Sequence, residues 1–500
     1  MFVKVPTVSF LGPQVVPVNA EVSLSQGRPI FTIVGLGDKA INESKERIYA
    51  SLDYLGYTLP PKRITVNLSP ADMVKEGTHY DLPICLGILG GMGVVDPERL
   101  ALYIFMGELS LDGSINPVWG TLPAALHAQN RATTLICGKE NAHEVSWAVP
   151  HVKGATHVQD VIDFLHNKSC LSVKPPSSTN KTQTHKQDLA GIYGQKQAKR
   201  ALLIAAAGRH NLVMIGSPGS GKTLLAKALH GILPPLSPDE VIETHINYSF
   251  SIHKEPASYA PRERPFRSPH HTSSAVSLVG GGLHVKPGEV SLAHNGILFL
   301  DELAEFSGKT LEALREPLES QRAHISRANY TATFHADFQL VAALNPCKCG
   351  YAGLPQACGK APVCVRKYLD KLSGPLLDRF DLFVNVRPVS PVSYNMPPTE
   401  SSSDARTNVD IAWERQRRRN PDTAIANSRL PHEFLSAHGK FTAESMETLQ
   451  KANDVHALST RGYHRVMRVS RTIADLADSE DVTRSHILEA LCFRQHNFGF

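Results

Sequence analysis

The segment Gly216-Ser217-Pro218-Gly219-Ser220-Gly221-Lys222-Thr223 constrains this chain more than any other. It fits the pattern G-x-x-x-x-G-K-[ST]. A short apolar run, Asn211 to Ile215, precedes it, and Leu224 to Leu229 open a helical pattern behind it. The glycines let consecutive backbone N–H groups turn inward at the start of a helix. Such a turn cradles phosphate oxygens with amide donors and the positive end of the helix dipole. Lys222 adds a point charge for the β- and γ-phosphates, and Thr223 offers a hydroxyl to Mg²⁺. A strand, a phosphate loop and a helix in succession predict a parallel α/β sheet around this segment.

Three later segments fit the same sheet. Ile297 to Leu300 is a four-residue apolar strand ending in Asp301-Glu302. Carboxylates at the C-terminal end of such a strand face the ligand crevice. Asp301 there holds Mg²⁺ through water, and Glu302 orients and deprotonates an attacking water. Phe338 to Leu344 is a further buried strand, ending at Asn345-Pro346. A polar Asn345 on a neighbouring strand reaches the γ-phosphate or the water, or else starts a turn. Gly374 to Asp381 carries Arg379 ahead of the strand Leu382 to Val386. An arginine at a domain surface can complete a neighbouring copy's site.

The chain has 500 residues, enough for two to four domains at roughly 100–200 residues each. Polar, proline-bearing stretches at 172–188 and 388–404 read as linkers. They divide the chain into 1–171, 189–387 and 405–500. Strands at residues 14–24, 31–34 and 63–68 and a helix over 39–55 predict an α+β first part. Helices over 405–420, 441–458, 461–478 and Thr483 to Cys492 predict a helical last part. The net charge of +5 names no partner. Its distribution is more informative: residues 1–171 hold 13 basic and 16 acidic side chains, whereas 189–387 hold 22 and 16. A polyanion-handling region requires such a local surplus. The longest uncharged apolar stretch, Leu82 to Val95, is 14 residues, too short for a bilayer. The N-terminus lacks a secretory pattern, so the cytoplasm is the expected compartment.

The ordered set of segments resembles the AAA+ ATPases, in the helix-2-insert branch of magnesium chelatase subunits and MCM helicases. It is most similar to the YifB/ComM family of magnesium-chelatase-like proteins. The carriers of that resemblance span nearly the whole chain: FTIVGLGDKAINESKERI, KEGTHYDLPI, GQKQAKRALLIAAAGRHNLVMIGSPGSGKT, RPFRSPHHT, GEVSLAHNGILFLDE, LSGPLLDRFD and RGYHRVMRVSRTIADL. The resemblance implies that Gly216 to Leu224 bind ATP, that Asp301 and Glu302 are Walker B, and that Asn345 is sensor 1. It implies that Arg379 is an arginine finger acting in trans and Arg461 sensor 2, with Arg465 and Arg468 on the same helical face. Gly194 and Gln195 match the segment lining the adenine pocket. It further implies a homo-oligomeric ring, most simply a hexamer, and a Lon-protease-like (ribosomal S5 domain 2-like) fold for residues 1–171. The position of the Lon catalytic serine falls on His79, so that part is expected to bind or assemble and not to cleave.

Two insert segments suit a DNA backbone. Residues 254–286 carry Lys254, Arg262, Arg264, Arg267 and Lys286 with Tyr259 and Phe266 between them, and residues 322–337 read as a hairpin bearing Arg322 and Arg327. Basic loops grip phosphates while rings stack on bases. In this branch both inserts project toward the pore. Cys347, Cys349, Cys358 and Cys364 lie within 18 residues of loop-like sequence, a donor set for one structural Zn²⁺. The function implied is an ATP-driven translocase acting on single-stranded, double-stranded or branched DNA, promoting branch migration of recombination intermediates in natural transformation. Two rivals stay open: the motor subunit of a metal chelatase, and a protein-remodelling ATPase with a degenerate peptidase domain. The absence of a D-x-S-x-S motif weakens the first, and His79 weakens the second.

Overall fold

The computed structural model describes residues 1–173, 175, 187–251, 262–282, 285–326, 331–350, 363–389, 400–420, 425–456 and 458–494. Lys254, Tyr259, Arg327 and Cys358 lie outside the described residues, as does most of both linker stretches.

Period-two alternation builds a four-stranded sheet in the order Phe2–Leu11, Gln14–Ser25, Arg63–Ser69, Phe31–Val34. The first two pairings are antiparallel and the last is parallel. Helix Lys39–Tyr54 joins the parallel pair; its N-cap is Asp38, whose Oδ1 accepts from the Ile41 N–H at 2.9 Å. The apolar stretch after residue 81 is a helix, Asp81–Gly91, buried on nearly every side. Glycine brings it onto the sheet: a Cβ on Gly91 would stand 1.9 Å from Leu24 Cδ1, and one on Gly87 2.5 Å from Val22 Cγ2. A small parallel sheet of Tyr103–Phe105, Thr134–Gly138 and Lys153–Ala155 follows.

The central sheet has five parallel strands, ordered Phe266–Arg267, Ile297–Leu300, Gln339–Leu344, Leu212–Gly216, Leu382–Val386. The three apolar strands that carry Asp301, Asn345 and the phosphate loop are thus neighbours, and their C-terminal ends share one edge. Helices Lys196–Gly208 and Lys222–Ile232 pack with this sheet in one apolar core, which also takes in Ala405, Leu449, Val466 and Ile487 of the C-terminal helices. Those helices are Ser402–Arg419, Ala443–His456, Thr460–Leu476 and Arg484–Cys492. Polar bonds fix the junction. Trp413 Nε1 donates to the Ala206 carbonyl at 3.0 Å, and the Phe383 N–H to the Phe493 carbonyl at 2.8 Å. His210 bridges Asp381 at 3.3 Å and the Thr472 hydroxyl at 2.8 Å. The whole is mixed α/β, with a parallel sheet and a helical C-terminal region.

Strands Arg322–Ser326 and Thr331–His335 pair antiparallel, as the sequence predicts for this hairpin. The N-terminal part rests beside its base. The Gly120 N–H donates to the Ser249 carbonyl at 3.1 Å, the Phe10 and Phe250 rings meet edge-on at 5.4 Å, and the Lys286 ammonium lies 4.6 Å from the centre of the Trp119 ring. Among the described residues, no helix is long and apolar enough to cross a membrane.

Candidate nucleotide-binding site

Gly216 ends the strand Leu212–Gly216 close against the last strand, where a Cβ would stand 2.3 Å from the Val386 carbonyl oxygen. The chain then turns through Ser217, Pro218, Gly219, Ser220 and Gly221, with φ of +75° at Gly219 and +93° at Gly221. Those angles are open to glycine and strained for other residues. Helix Lys222–Ile232 begins directly behind, so its first N–H groups face the turn. The Ser220 hydroxyl is buried and has no partner among the described residues. Left-handed glycines, a helix N-terminus and an orphaned hydroxyl form a cradle that phosphate oxygens complete.

Lys222 is buried and donates to the Gly216 carbonyl at 2.7 Å, the Ser217 carbonyl at 2.9 Å and Asn345 Oδ1 at 3.1 Å. Burial pulls its pKa down, against the pull of Asp301 and Glu302. Thr223 Oγ1 donates to Asp301 Oδ2 at 2.9 Å. A hydroxyl and a carboxylate side by side are the hard oxygen donors that Mg²⁺ takes, so the residues fit that ion. Leu224 is 47% exposed. Gly194 and Gln195 both have left-handed backbone, and the Gln195 amide donates to the Arg387 carbonyl, beside the strand that flanks the phosphate loop. Glu302 is also left-handed at φ +53°, half-exposed, and faces His271 Nδ1 at 3.5 Å. The proximity of His271 to Glu302 depends on pairing Phe266–Arg267 with Ile297–Leu300, which no local pattern reveals.

Arg379 and Arg461 stand elsewhere. Both donate to Glu319, Arg461 Nη2 at 3.3 Å. They line a cavity of about 250 Å³ with Arg465, Arg468 and Asp381. This cavity opens where the strand Leu382–Val386 begins, whereas the phosphate loop lies where its parallel neighbour ends. Five strand residues separate the two edges by roughly 15 Å. Arg379 Nε and Arg465 Nη1 are buried without partners among the described residues. Burial lowers the Arg379 pKa, opposed by Glu319 and helped by Arg461, Arg315 and Arg465.

One arginine expected to face DNA, Arg264, is buried instead, and a second, Arg267, is paired with a carboxylate. Arg264 is 5% exposed; its guanidinium forms a two-fold ion pair with Glu240 at 3.0 Å and donates to the Pro234 and Asn295 carbonyls. Arg267 binds both oxygens of Glu289, at 2.7 and 3.0 Å. Buried and committed through Nε, Nη1 and Nη2 to Glu240 and two carbonyls, Arg264 is turned away from any phosphate, whereas Arg267 spends two of its five N–H donors on Glu289. Lys286 stacks on Trp119. Arg262 and Arg322 are exposed.

The Cys347, Cys349 and Cys364 sulfurs lie within 4.8 Å of one another, with Cys347 buried. That spacing suits tetrahedral sulfur ligation of Zn²⁺. The segment also touches the phosphate loop: a Cβ on Gly350 would stand 2.3 Å from Pro218 Cδ.

Comparison with known proteins agrees with this geometry. The family described as magnesium chelatase, subunit ChlI, matches residues 188–394. The family described as subunit ChlI of Mg-chelatase matches 20–141, and the subunit ChlI C-terminal family matches 399–494. Competence protein ComM of Haemophilus influenzae is 42% identical over 97% of this chain and 96% of its own length. The uncharacterized protein YifB of Escherichia coli is 41% identical over 98% and 96%. A magnesium-chelatase 67 kDa subunit of Heliobacterium mobile is 26% identical over 33% of this chain. Phosphate loop, strand-end carboxylates and full-length similarity together imply an ATPase that uses ATP and Mg²⁺, and the chain belongs to the YifB/ComM family of magnesium-chelatase-like AAA+ proteins.

Proposed function

We propose that this chain is an ATP-driven DNA translocase that works as a homo-oligomeric ring, most simply a hexamer, in the cytoplasm. It drives branch migration of recombination intermediates during natural transformation. The observation that carries the ring is the placement of Lys222, Asp301 and Glu302 at one edge of the parallel sheet and of Arg379 and Arg461 at the other. A chain cannot fold its own arginines back across roughly 15 Å of strand, so they complete the site of the next copy. The process is supported by the name of the relative, a competence protein. DNA is supported by exposed Arg322 on a two-stranded hairpin and exposed Arg262 beside the core.

In this mechanism bound ATP with Mg²⁺ supplies the bond to be cleaved. The loop from Gly216 to Thr223 seats the phosphates, and Leu224 continues the helix behind it. Glu302 accepts the proton of the attacking water, and Asn345 orients it. Gly194 and Gln195 flank the base. Cys347, Cys349 and Cys364, with Cys358, hold one structural Zn²⁺. Residues 1–171 form a Lon-like, noncatalytic unit: His79 stands at the position of the serine nucleophile, and its imidazole is buried. Residues 405–500 form the helical lid.

ATP-dependent strand exchange on a forked or three-stranded DNA, with Glu302→Gln as control, tests this. Exchange by the wild-type chain alone is the expected result. ATPase stimulation by unfolded protein or by a chelatase partner, and none by DNA, would favour the rivals.

A further inference from the structure

A cavity of about 360 Å³ lies between the N-terminal part and the ATPase core, and the nucleotide chemistry does not use it. Its walls include Asp38, His79, Glu108 and Trp119 from one side and Phe250 and Lys286 from the other. Both principal carboxylates are held by neutral donors. Asp38 accepts from the Ile41 N–H at 2.9 Å and the Gly77 N–H at 3.1 Å. Glu108 accepts from the Thr78 hydroxyl and from the Asn116 amide at 3.3 Å. Arg47 lies within electrostatic reach of Glu108, but its guanidinium is bound to Asp81 at 2.6 Å. With Glu76 the wall carries three acidic side chains against one cation, Lys286.

His79 adds an independent observation. It is 4% exposed, and its Nε2 meets the Val8 carbonyl at 2.9 Å. Burial pushes its pKa down to about 4, so near neutral pH the ring is uncharged. Nε2 therefore carries the proton, and Nδ1 keeps a lone pair. Nδ1 has no hydrogen-bond partner among the described residues; it faces Gly77, another wall residue, where a Cβ would stand 3.1 Å away. The cavity thus presents acceptors: two carboxylates held by neutral donors and an imidazole nitrogen with no hydrogen-bond partner among the described residues. Aromatic walls complete it, and Trp119 already holds one cation on its face, the Lys286 ammonium at 4.6 Å.

We propose that this cavity binds an organic cation, an ammonium or guanidinium carried on an apolar stem, at the joint between the two parts of the chain. The charged head meets Glu108, Asp38 and His79 Nδ1, and the stem lies along Phe10 and Phe250. The ligand competes with Lys286 for the Trp119 face, so its arrival loosens the contact between the core and the N-terminal part.

Isothermal titration of the full chain tests the site, with three probes: agmatine, N-acetylarginine amide and the uncharged isostere N-acetylcitrulline amide. Saturable binding of at least one cation, one per chain, is expected, with the isostere at least tenfold weaker. Tighter binding of agmatine marks a free small cation as the source, and tighter binding of the amide marks a basic side chain of a polypeptide. Glu108→Gln should weaken the cation about tenfold, the effect of one lost charge-assisted bond. Lys286→Gln should strengthen it by removing the competitor. If Glu108→Gln alters the near-ultraviolet circular dichroism, Trp119→Leu replaces it: that side chain is 44% exposed, and the same loss is expected. Absence of saturable binding by either cation up to about 10 mM, equal binding of the isostere, or indifference to both wall substitutions overturns the proposal. Here 10 mM corresponds to an affinity too weak to distinguish from non-specific attraction.

Discussion

Lys222 donates to the Gly216 and Ser217 carbonyls and to Asn345, so its ammonium is desolvated and aimed before a phosphate arrives. Glu302 stands on the next strand but one, half-exposed and opposite His271. The two side chains therefore have separable effects. Lys222→Ala should weaken ATP binding by about a hundredfold, as loss of a desolvated charged donor does. Glu302→Gln should leave binding within about threefold and slow hydrolysis by about 10²–10⁴-fold, the usual range for a removed base. A fluorescent ATP analogue and phosphate release measure both, and equal loss of binding in the two variants would contradict these roles. Arg264→Ala should act on stability instead. It leaves Glu240 without its partner at a site where Arg264 is 5% exposed, at a cost of about 3 kcal/mol measured by urea unfolding. At this scale the phosphate-loop residues were legible because eight consecutive positions carry the whole pattern. Arg264 was misread as a DNA contact because the carboxylate that pairs with it, Glu240, lies more than twenty residues away along the chain.

The helix Thr460–Leu476 is joined to the core through one buried polar chain, Thr472 to His210 to Asp381, with Arg465 on the other oxygen of Asp381 at 3.2 Å. Burial alone would raise the Asp381 carboxyl; His210 and Arg465 more than offset it and hold it below the ordinary carboxylate range. A depressed folded value stabilises the protein above the unfolded value of about 3.9 and ceases to do so as pH falls through the folded one. Acid unfolding, followed by Trp413 fluorescence across the helix junction, should therefore begin below about pH 4, and Asp381→Asn should flatten that limb. The cysteine segment gives a second test. Since Gly350 packs on Pro218, zinc removal should lower the ATPase rate as well as local order. Elemental analysis of protein purified without chelator is expected to give about one equivalent, the stoichiometry of a four-thiolate site. Strands such as Ile297–Leu300 and Leu382–Val386 were legible from end to end, being largely apolar runs followed by a charged residue, Asp301 and Arg387. Helix Asp81–Gly91 was not, because a helix buried on nearly every side has no polar face to mark its period. Strand Phe2–Leu11 also escaped notice: its status rests on the partner Gln14–Ser25.

For the molecule as a whole, mixing is the decisive measurement. Arg379→Ala and Lys222→Ala chains should each be inactive alone. A mixture should recover a fraction of the activity, because some junctions then pair an intact loop with an intact arginine. No recovery in mixed assemblies known to form would refute the proposed trans arrangement. The sequence made both ends of the sheet recognisable but not their opposition, since Arg461 and Arg379 meet at Glu319 only after the C-terminal helices have docked. That opposition has a consequence for any assembly of such chains. If Arg379 completes a neighbour's site as proposed, two copies related by a two-fold axis would set like face against like and leave every loop without its arginine, so only head-to-tail contact satisfies both edges. Each copy then receives at one face and sends at the other. In the ring proposed above, a bound phosphate would then be felt in a single sense around the circuit.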